Sequence, residues 1–267
     1  MIDFNDLKYK IYLNIYMKLA FCLYGLSGNY SENGAHLRLN RGCAHTFEIM
    51  KYSFESYKKN FYDVNKDFTI DTYFHTRNHK NIDKIIDLYK PKKYIVQEKL
   101  TNCPKNNHIH AYSKLESQKK VLSLLDQDYD VVFLCRFDLD FIKPFKICEE
   151  NIKKNVICFP KSHHKIFNGK ILQHRYFYNT PSSVKENITI KYNDKNKYAC
   201  DWWFIFSGVD TGKIIKMIDN QISVGTNKKN VHIFPSEYFC KEKFDTKYSK
   251  ISFYDTPLTR IKFGIYT

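Results

Sequence analysis

Residues 131–141 read Val-Val-Phe-Leu-Cys-Arg-Phe-Asp-Leu-Asp-Phe. The first five residues are apolar, which is typical of a strand buried on both faces of a parallel sheet. Asp138 and Asp140 follow, so we expect both just beyond the carboxyl end of that strand. In open α/β sheets, ligands bind outside this end of the strands. The stretch therefore predicts a helix-flanked sheet with a polar site at its edge.

The two carboxylates at i and i+2 are of the type that holds a hard divalent cation through oxygen ligands. Such a cation can also bind a diphosphate. Arg136 stands two residues before the first aspartate, where it would neutralise a phosphate or orient Asp138. The alternative for so short a pattern is a polar turn in which Arg136 pairs with a neighbouring aspartate.

The composition indicates a folded α/β protein. The chain has 267 residues with 43% hydrophobic and 16% aromatic content, which argues against disorder. Its formal net charge of +15 requires that a polyanionic partner be considered. The lysines are spread over the whole chain, however, which favours solubility over a nucleic-acid groove. We therefore expect no nucleic-acid partner.

The cysteines and the N-terminus indicate a cytoplasmic, reducing location. None of the eight cysteines forms a Cys-x-x-Cys pair, so a structural zinc site is not expected. Polar residues interrupt the apolar segment 9–23, which is too short for a transmembrane span. Residues 1–17 are predicted to form an extension before the first strand, and an amphipathic surface segment there remains open.

Strands and helices are expected to alternate through the first half of the chain. The predicted strands are Lys18–Tyr24, Phe68–Phe74, Lys93–Val96 and Val131–Cys135, and the predicted helices are Cys43–Tyr57, Asn81–Tyr89 and Ser113–Leu125. This order indicates a largely parallel sheet. Ser113, followed three residues later by Glu116, predicts a capping box at the start of the third helix. The second half is less regular, with strands predicted at 156–159 and 231–234 and a helix at 211–218.

The first strand runs into a loop with two glycines, Tyr24-Gly25-Leu26-Ser27-Gly28-Asn29. Glycine lets backbone N–H groups approach a phosphate or a base closely. An ordinary turn is the alternative reading of this loop.

Four pieces of the chain together resemble GT-A-fold glycosyltransferases that use nucleotide sugars. The pieces are Lys18–Gly25, Asp71–Thr76, Tyr129–Asp140 and Asp201–Ser207. The chain looks most like the poorly characterised viral and bacterial enzymes that build surface glycans. The resemblance covers roughly residues 18 to 245, and the D-x-D with its strand is its most specific part.

The resemblance implies a GT-A-like (Rossmann-like), mostly parallel sheet flanked by helices in a single domain, residues 18–267. Residues 18–145 would form the nucleotide-sugar-binding half, and residues 146–267 an irregular acceptor-binding half.

It also implies a ligand set. The donor would be a UDP- or GDP-sugar whose two phosphates are bridged by Mn²⁺ or Mg²⁺. Asp140 would be the more direct metal ligand, and Asp138 would contact the ribose or a metal-bound water. Tyr24 and Gly25 match the loop that cradles the nucleoside in such enzymes.

A catalytic base is needed if the transfer inverts configuration, because the acceptor hydroxyl must lose a proton. Asp201, at the start of an apolar segment, is the first candidate, and Glu237 is the second. Trp202 or Trp203 would stack on a sugar face. The alternatives are that both acids cap local structure and that both tryptophans belong to the core.

Two histidines complete the candidate set. His232 would be a third metal ligand, although a lone histidine between Val and Ile is often structural. His75 ends the second strand and would line the nucleotide pocket. Its alternative role is that of a hydrogen-bonded histidine at a strand end.

The sequence thus predicts a metal-dependent glycosyltransferase that moves a sugar to a glycan, glycoprotein or other hydroxyl acceptor. One alternative is a metal-dependent nuclease or nucleic-acid-binding protein that uses the basic surface. Two-metal nucleases usually need more converging acids than the single tight pair seen here. A second alternative is a non-catalytic carbohydrate-binding module with the same fold.

Overall fold

The structure is a computed structural model. It describes residues 16–25, 44–78, 80–98, 100, 102–137, 139–141, 144–148, 153–159, 165–167, 170–172, 198–200, 203–225, 233–235, 245–248 and 258–260. The strands in chain order are β1 (Met17–Tyr24), β2 (Phe68–Arg77), β3 (Lys93–Gln97), β4 (Val131–Arg136), β5 (Leu139–Phe141), β6 (Val156–Phe159), β7 (Lys165–Phe167), β8 (Lys170–Leu172), β9 (Tyr198–Cys200), β10 (Trp203–Ser207), β11 (Ile233–Pro235), β12 (Asp245–Tyr248) and β13 (Leu258–Arg260).

Seven of these strands form one sheet in the order β12-β6-β10-β4-β1-β2-β3. Strands β1, β2, β3 and β4 are mutually parallel, and β12 is parallel to β6. Strand β10 runs antiparallel to both of its neighbours, β4 and β6. The predicted α/β class with a mostly parallel sheet is therefore confirmed.

Helices cover both faces of the sheet. The helices are α1 (Ala44–Tyr57), α2 (Ile82–Tyr89), α3 (Ile109–Leu122) and α4 (Thr211–Val224); a π-helical segment (Lys58–Tyr62) continues α1, and a 3₁₀ turn (Gly208–Asp210) precedes α4. Residues of α1, the π-helical segment and α2 share one core cluster with one face of the sheet. Residues of α3 and α4 share the other cluster with the opposite face.

Coverage of both faces explains the continuous apolar runs of the central strands. In β1, Leu19, Phe21 and Leu23 belong to the first core cluster, whereas Ala20 and Cys22 belong to the second. Successive side chains point to opposite faces of a strand, so a strand buried on both sides needs apolar residues at every position. Burial of this kind also raises the pKa of the Cys22 thiol.

The predicted capping box on the third helix is wrong. Helix α3 begins at Ile109, four residues before Ser113, and its N-cap residue is His108. The Ser113 hydroxyl instead accepts a hydrogen bond from Arg77 over 3.2 Å, and Glu116 pairs with Arg77 over 2.6 Å. Both residues of the expected capping box therefore bind Arg77, which is distant in sequence.

Other boundaries differ by a few residues from those expected. The predicted strand at 231–234 corresponds to β11, which begins at Ile233, and residues 231 and 232 lie outside the described residues. Strand β2 runs three residues further than predicted, to Arg77. Residues 1–15 of the predicted extension also lie outside the described residues.

Five cysteines within the described part of the chain form no disulfide bond, namely Cys22, Cys103, Cys135, Cys148 and Cys158. No helix of that part is long and apolar enough to cross a bilayer. The reducing compartment inferred from the sequence remains a prediction.

Candidate functional site

Three predicted site residues lie side by side at the carboxyl edge of the sheet. Tyr24 of β1 is in register with His75 of β2 on one side and with Arg136 of β4 on the other. These residues close or nearly close their parallel strands, so they define the edge at which ligands bind in open α/β sheets. Gly25 follows Tyr24 directly and continues the same edge.

His75 is buried, and both of its ring nitrogens have protein partners. Its Nδ1 lies 2.7 Å from the Ser117 hydroxyl of α3, and its Nε2 lies 3.0 Å from Oε1 of Gln97 at the end of β3. Gln97 Oε1 can only accept, so Nε2 carries the proton and donates. Nδ1 is then the acceptor for the Ser117 hydroxyl. Nucleotide contact by this ring remains a prediction.

The surroundings of His75 keep the ring neutral. Burial lowers the pKa of His75 to about 4, and the charges of Arg77 and Lys120 lower it further, while the Gln97 hydrogen bond and Glu116 oppose them. A neutral imidazole is therefore present at the sheet edge at physiological pH.

Gly25 has a backbone conformation that glycine adopts far more easily than other residues. Its φ angle is +102°, and a Cβ atom built on it would meet no described heavy atom within 4 Å. Its N–H donates to the Ser117 hydroxyl over 2.9 Å. Ser117, which is 3% exposed, thus joins Gly25 to His75. Sequence reasoning missed Ser117, because nothing local to α3 singles it out.

A charged group lies beside this network. Arg77 at the end of β2 is 3% exposed and pairs with Glu116 of α3. Lys120, one turn later, also pairs with Glu116 over 3.0 Å and donates to Gln97 over 2.7 Å. Burial alone would raise the pKa of the Glu116 carboxyl, but hydrogen bonds from Arg77 and Lys120 outweigh it and lower that pKa.

The segment that follows β4 is held from the opposite face of the sheet. The Tyr57 hydroxyl donates to the Arg136 carbonyl over 2.7 Å, with the Phe137 carbonyl at 3.2 Å. The Ser56 hydroxyl accepts from the Phe141 N–H over 3.1 Å, and the Asn60 amide donates to the Phe141 carbonyl. Hydrogen bonds from α1 and the π-helical segment therefore bracket the predicted aspartate pair.

The remaining predicted residues are only partly covered by the structure. The backbone of Asp140 lies in β5, opposite Thr259 of β13. Asp138, Asp201, His232 and Glu237 lie outside the described residues. Among the residues that are described, no three His, Cys, Asp or Glu side chains are grouped as a metal site would require. The metal, base and ligand roles remain predictions.

Trp203 belongs to the core, which is the alternative that the sequence left open for both tryptophans, and Trp202 lies outside the described residues. The Trp203 side chain is 0% exposed and packs edge-on against Phe133 and Phe145, with ring centroids 5.8 and 5.4 Å away. Because β10 is antiparallel to β4, Trp203 is in register with Cys135 near the carboxyl end of β4. Strand β10 therefore begins at the same edge that carries Tyr24 and Arg136.

The comparisons with known proteins give weak structural likenesses. No family model and no curated protein matches the sequence. The chain is similar to 4-diphosphocytidyl-2C-methyl-D-erythritol synthase from Anaerococcus prevotii DSM 20548, at 12% identity and a TM-score of 0.42, over 93% of this chain and 91% of that one. It is also similar to a nucleoside-diphosphate-sugar pyrophosphorylase from Vibrio cholerae RC9, at 13% identity and a TM-score of 0.41, over 87% and 91% of the two chains.

Proposed function

We propose that this protein is a metal-dependent glycosyltransferase that moves a sugar from a nucleotide-diphosphate sugar to a hydroxyl acceptor. The observation that carries the proposal is the alignment of Tyr24, His75 and Arg136 at one sheet edge. Arg136 stands two residues before Asp138 in the chain. A phosphate-bearing ligand at this edge would meet the Gly25 backbone and the Arg136 cation.

The donor set fits a hard divalent cation. Asp138 and Asp140 offer carboxylate oxygens, which are the ligands that Mg²⁺ and Mn²⁺ take. The backbone on both sides of the pair is hydrogen-bonded to α1 and the π-helical segment. When bound, the cation would neutralise charge on the diphosphate. His232 is the proposed third ligand.

Bond cleavage at the anomeric carbon leaves a nucleoside diphosphate with growing negative charge. Arg136 would stabilise this leaving group most strongly in the transition state, where the charge is greatest. In an inverting transfer, the acceptor oxygen bonds to the anomeric carbon, the bond to the diphosphate breaks, and Asp201 takes the acceptor proton. Glu237 is the second candidate for that base.

The proposal is tested by binding and by product analysis. A UDP- or GDP-sugar should raise the melting temperature only when Mn²⁺ or Mg²⁺ is present, because a ligand of the folded state alone stabilises it. Asp140→Ala should abolish that rise. Asp67→Asn, at the exposed Asp67–Lys146 pair before β2, is the matched control and should leave it unchanged. An unchanged response of Asp140→Ala would remove the metal role.

Product analysis then separates the possible reactions. Release of a nucleoside diphosphate together with a glycosylated acceptor is the result expected. Release of pyrophosphate from a nucleoside triphosphate would instead assign nucleotidyl transfer. Salt-sensitive binding of DNA or RNA, with no response to nucleotide sugars, would favour the nucleic-acid alternative.

A further inference from the structure

We propose that Tyr57, Ser56 and Asn60 act as positioning residues for the metal-binding aspartates, an inference that rests on the proposed function. These three side chains lie on α1 and on the π-helical segment that continues it. They bond to main-chain groups immediately before Asp138 and immediately after Asp140. We call these three residues the helix clamp.

On the amino-terminal side of the pair, the Tyr57 hydroxyl bonds to the main chain. Its ring is 0% exposed, and its hydroxyl reaches the carbonyls of Arg136 and Phe137 at 2.7 and 3.2 Å. Arg136 is the last residue of β4, and Phe137 follows it. The Tyr57 ring lies 4.9 Å from the Phe141 ring, so the same residue also packs against the far side of the segment.

The carboxyl-terminal side is held by two shorter side chains. Ser56 accepts the Phe141 N–H over 3.1 Å and donates to the Ser53 carbonyl over 2.8 Å, which fixes its hydroxyl proton within α1. The Asn60 amide donates to the Phe141 carbonyl. Both main-chain groups of Phe141 therefore have partners in the helix clamp.

Metal ligands lose affinity when the groups that orient them are removed, typically by 10–100-fold. The helix clamp acts on backbone rather than on carboxylate atoms, so its effect on the metal would come through the placement of Asp138 and Asp140. The change of a single hydroxyl in Tyr57→Phe should therefore weaken Mn²⁺ binding about tenfold while the aromatic packing is kept.

A matched control separates this role from simple stabilisation. Tyr89 is also buried, its ring lies 6.4 Å from that of Tyr57, and its hydroxyl donates to the Met50 carbonyl over 3.1 Å. Tyr89→Phe removes a comparable hydrogen bond that does not involve the aspartate segment. Both variants should lower the melting temperature, and only Tyr57→Phe should weaken Mn²⁺ binding.

The measurement is the loss of the free Mn²⁺ electron paramagnetic resonance signal on titration with protein in the presence of UDP or GDP. Ser56→Ala should weaken Mn²⁺ binding in the same way, and Ser56→Thr, which keeps the hydroxyl, should restore it. This second pair keeps the test decisive if Tyr57→Phe does not fold.

Unchanged Mn²⁺ affinity in Tyr57→Phe and Ser56→Ala would overturn the helix clamp and leave the proposed function intact. Equal weakening in Tyr89→Phe would also overturn it, because the effect would then be one of general stability. Failure of the unmodified protein to bind Mn²⁺ would overturn the metal role in the proposed function together with this inference.

Discussion

The backbone N–H of Gly25 donates to the hydroxyl of Ser117 over 2.9 Å, although 92 residues separate them in sequence. The same hydroxyl lies 2.7 Å from Nδ1 of His75. The residue after β1, strand β2 and helix α3 therefore meet at one oxygen atom. Its removal would leave the buried His75 ring and the half-buried Gly25 N–H without this hydrogen-bond partner.

Ser117→Ala is expected to lower the free energy of unfolding by about 1–3 kcal/mol, because a buried polar group that loses its partner keeps its desolvation cost. Ser117→Thr keeps the hydroxyl and should lose less. The control is Ser53→Ala: the Ser53 hydroxyl is buried and has no hydrogen-bond partner among the described residues. Urea denaturation of all three variants measures the free energies of unfolding. Equal decreases in Ser117→Ala and Ser53→Ala would contradict the prediction.

His75 is expected to make stability depend on pH in the acid range. Burial lowers the pKa of His75 to about 4 from 6.5, so between these values the unfolded chain binds more protons than the folded one. Stability should therefore rise with pH across that window and level off above it. Across the whole window, the titration of His75 should change the free energy of unfolding by roughly 3 kcal/mol.

The measurement compares unmodified protein with His75→Gln by urea denaturation at several pH values from 4 to 7. The difference between the two unfolding free energies should grow as pH rises through the window. A difference that stays constant with pH would show that the imidazole is not held neutral by its surroundings.

Glu116→Gln tests the buried ion pair next to this network. It leaves the Arg77 guanidinium, 3% exposed, without its carboxylate partner. Breaking a fully buried pair costs about 3–5 kcal/mol. Because the Glu116 side chain is 15% exposed and glutamine keeps an oxygen that can accept from Arg77, we expect a loss at the lower end of that range. Asp67→Asn breaks an exposed pair with Lys146 and should cost under about 1 kcal/mol. Thermal unfolding of the two variants checks the contrast, and comparable melting temperatures would refute it.

Substitution by alanine is expected to have opposite effects on stability at two glycines that are four residues apart. A Cβ on Gly208 would stand 1.8 Å from the Tyr129 carbonyl oxygen, and this backbone atom cannot move aside cheaply. Gly208→Ala should lower the free energy of unfolding by about 3 kcal/mol or more. A Cβ on Gly212, within α4, meets nothing within 4 Å. Gly212→Ala should stabilise by up to about 1 kcal/mol, and calorimetry of both variants checks the pair.

The sequence predicted the features that depend on neighbouring residues. The central strands β1 and β4 are continuous apolar runs, so their existence, their burial and the edge at which they end could be inferred directly. The alignment of Tyr24 with Arg136 follows from two parallel strands that end at the same edge. The fold class and the location of the candidate edge therefore came from local pattern alone.

The predictions that failed concern contacts between residues far apart in the chain. Ser113 and Glu116 match a capping box, but Arg77, 36 and 39 residues earlier, binds both. Either Trp202 or Trp203 was expected to stack on a sugar, but rings of Phe133 and Phe145 pack against Trp203. Local periodicity carries no information on partners that are distant in sequence. The contacts of Tyr57 and Ser117 could not be predicted for the same reason.

Asp201→Asn is the sharpest test of the proposed chemistry. The substitution removes the proposed base but keeps the size and much of the polarity of the side chain. Donor binding in the presence of Mn²⁺ should therefore persist, while transfer to the acceptor falls by about 100-fold or more. Isothermal titration with UDP or GDP measures the first, and release of nucleoside diphosphate in the presence of acceptor measures the second. Glu237→Gln serves as the matched variant: loss of transfer there, with full turnover in Asp201→Asn, would move the base to Glu237.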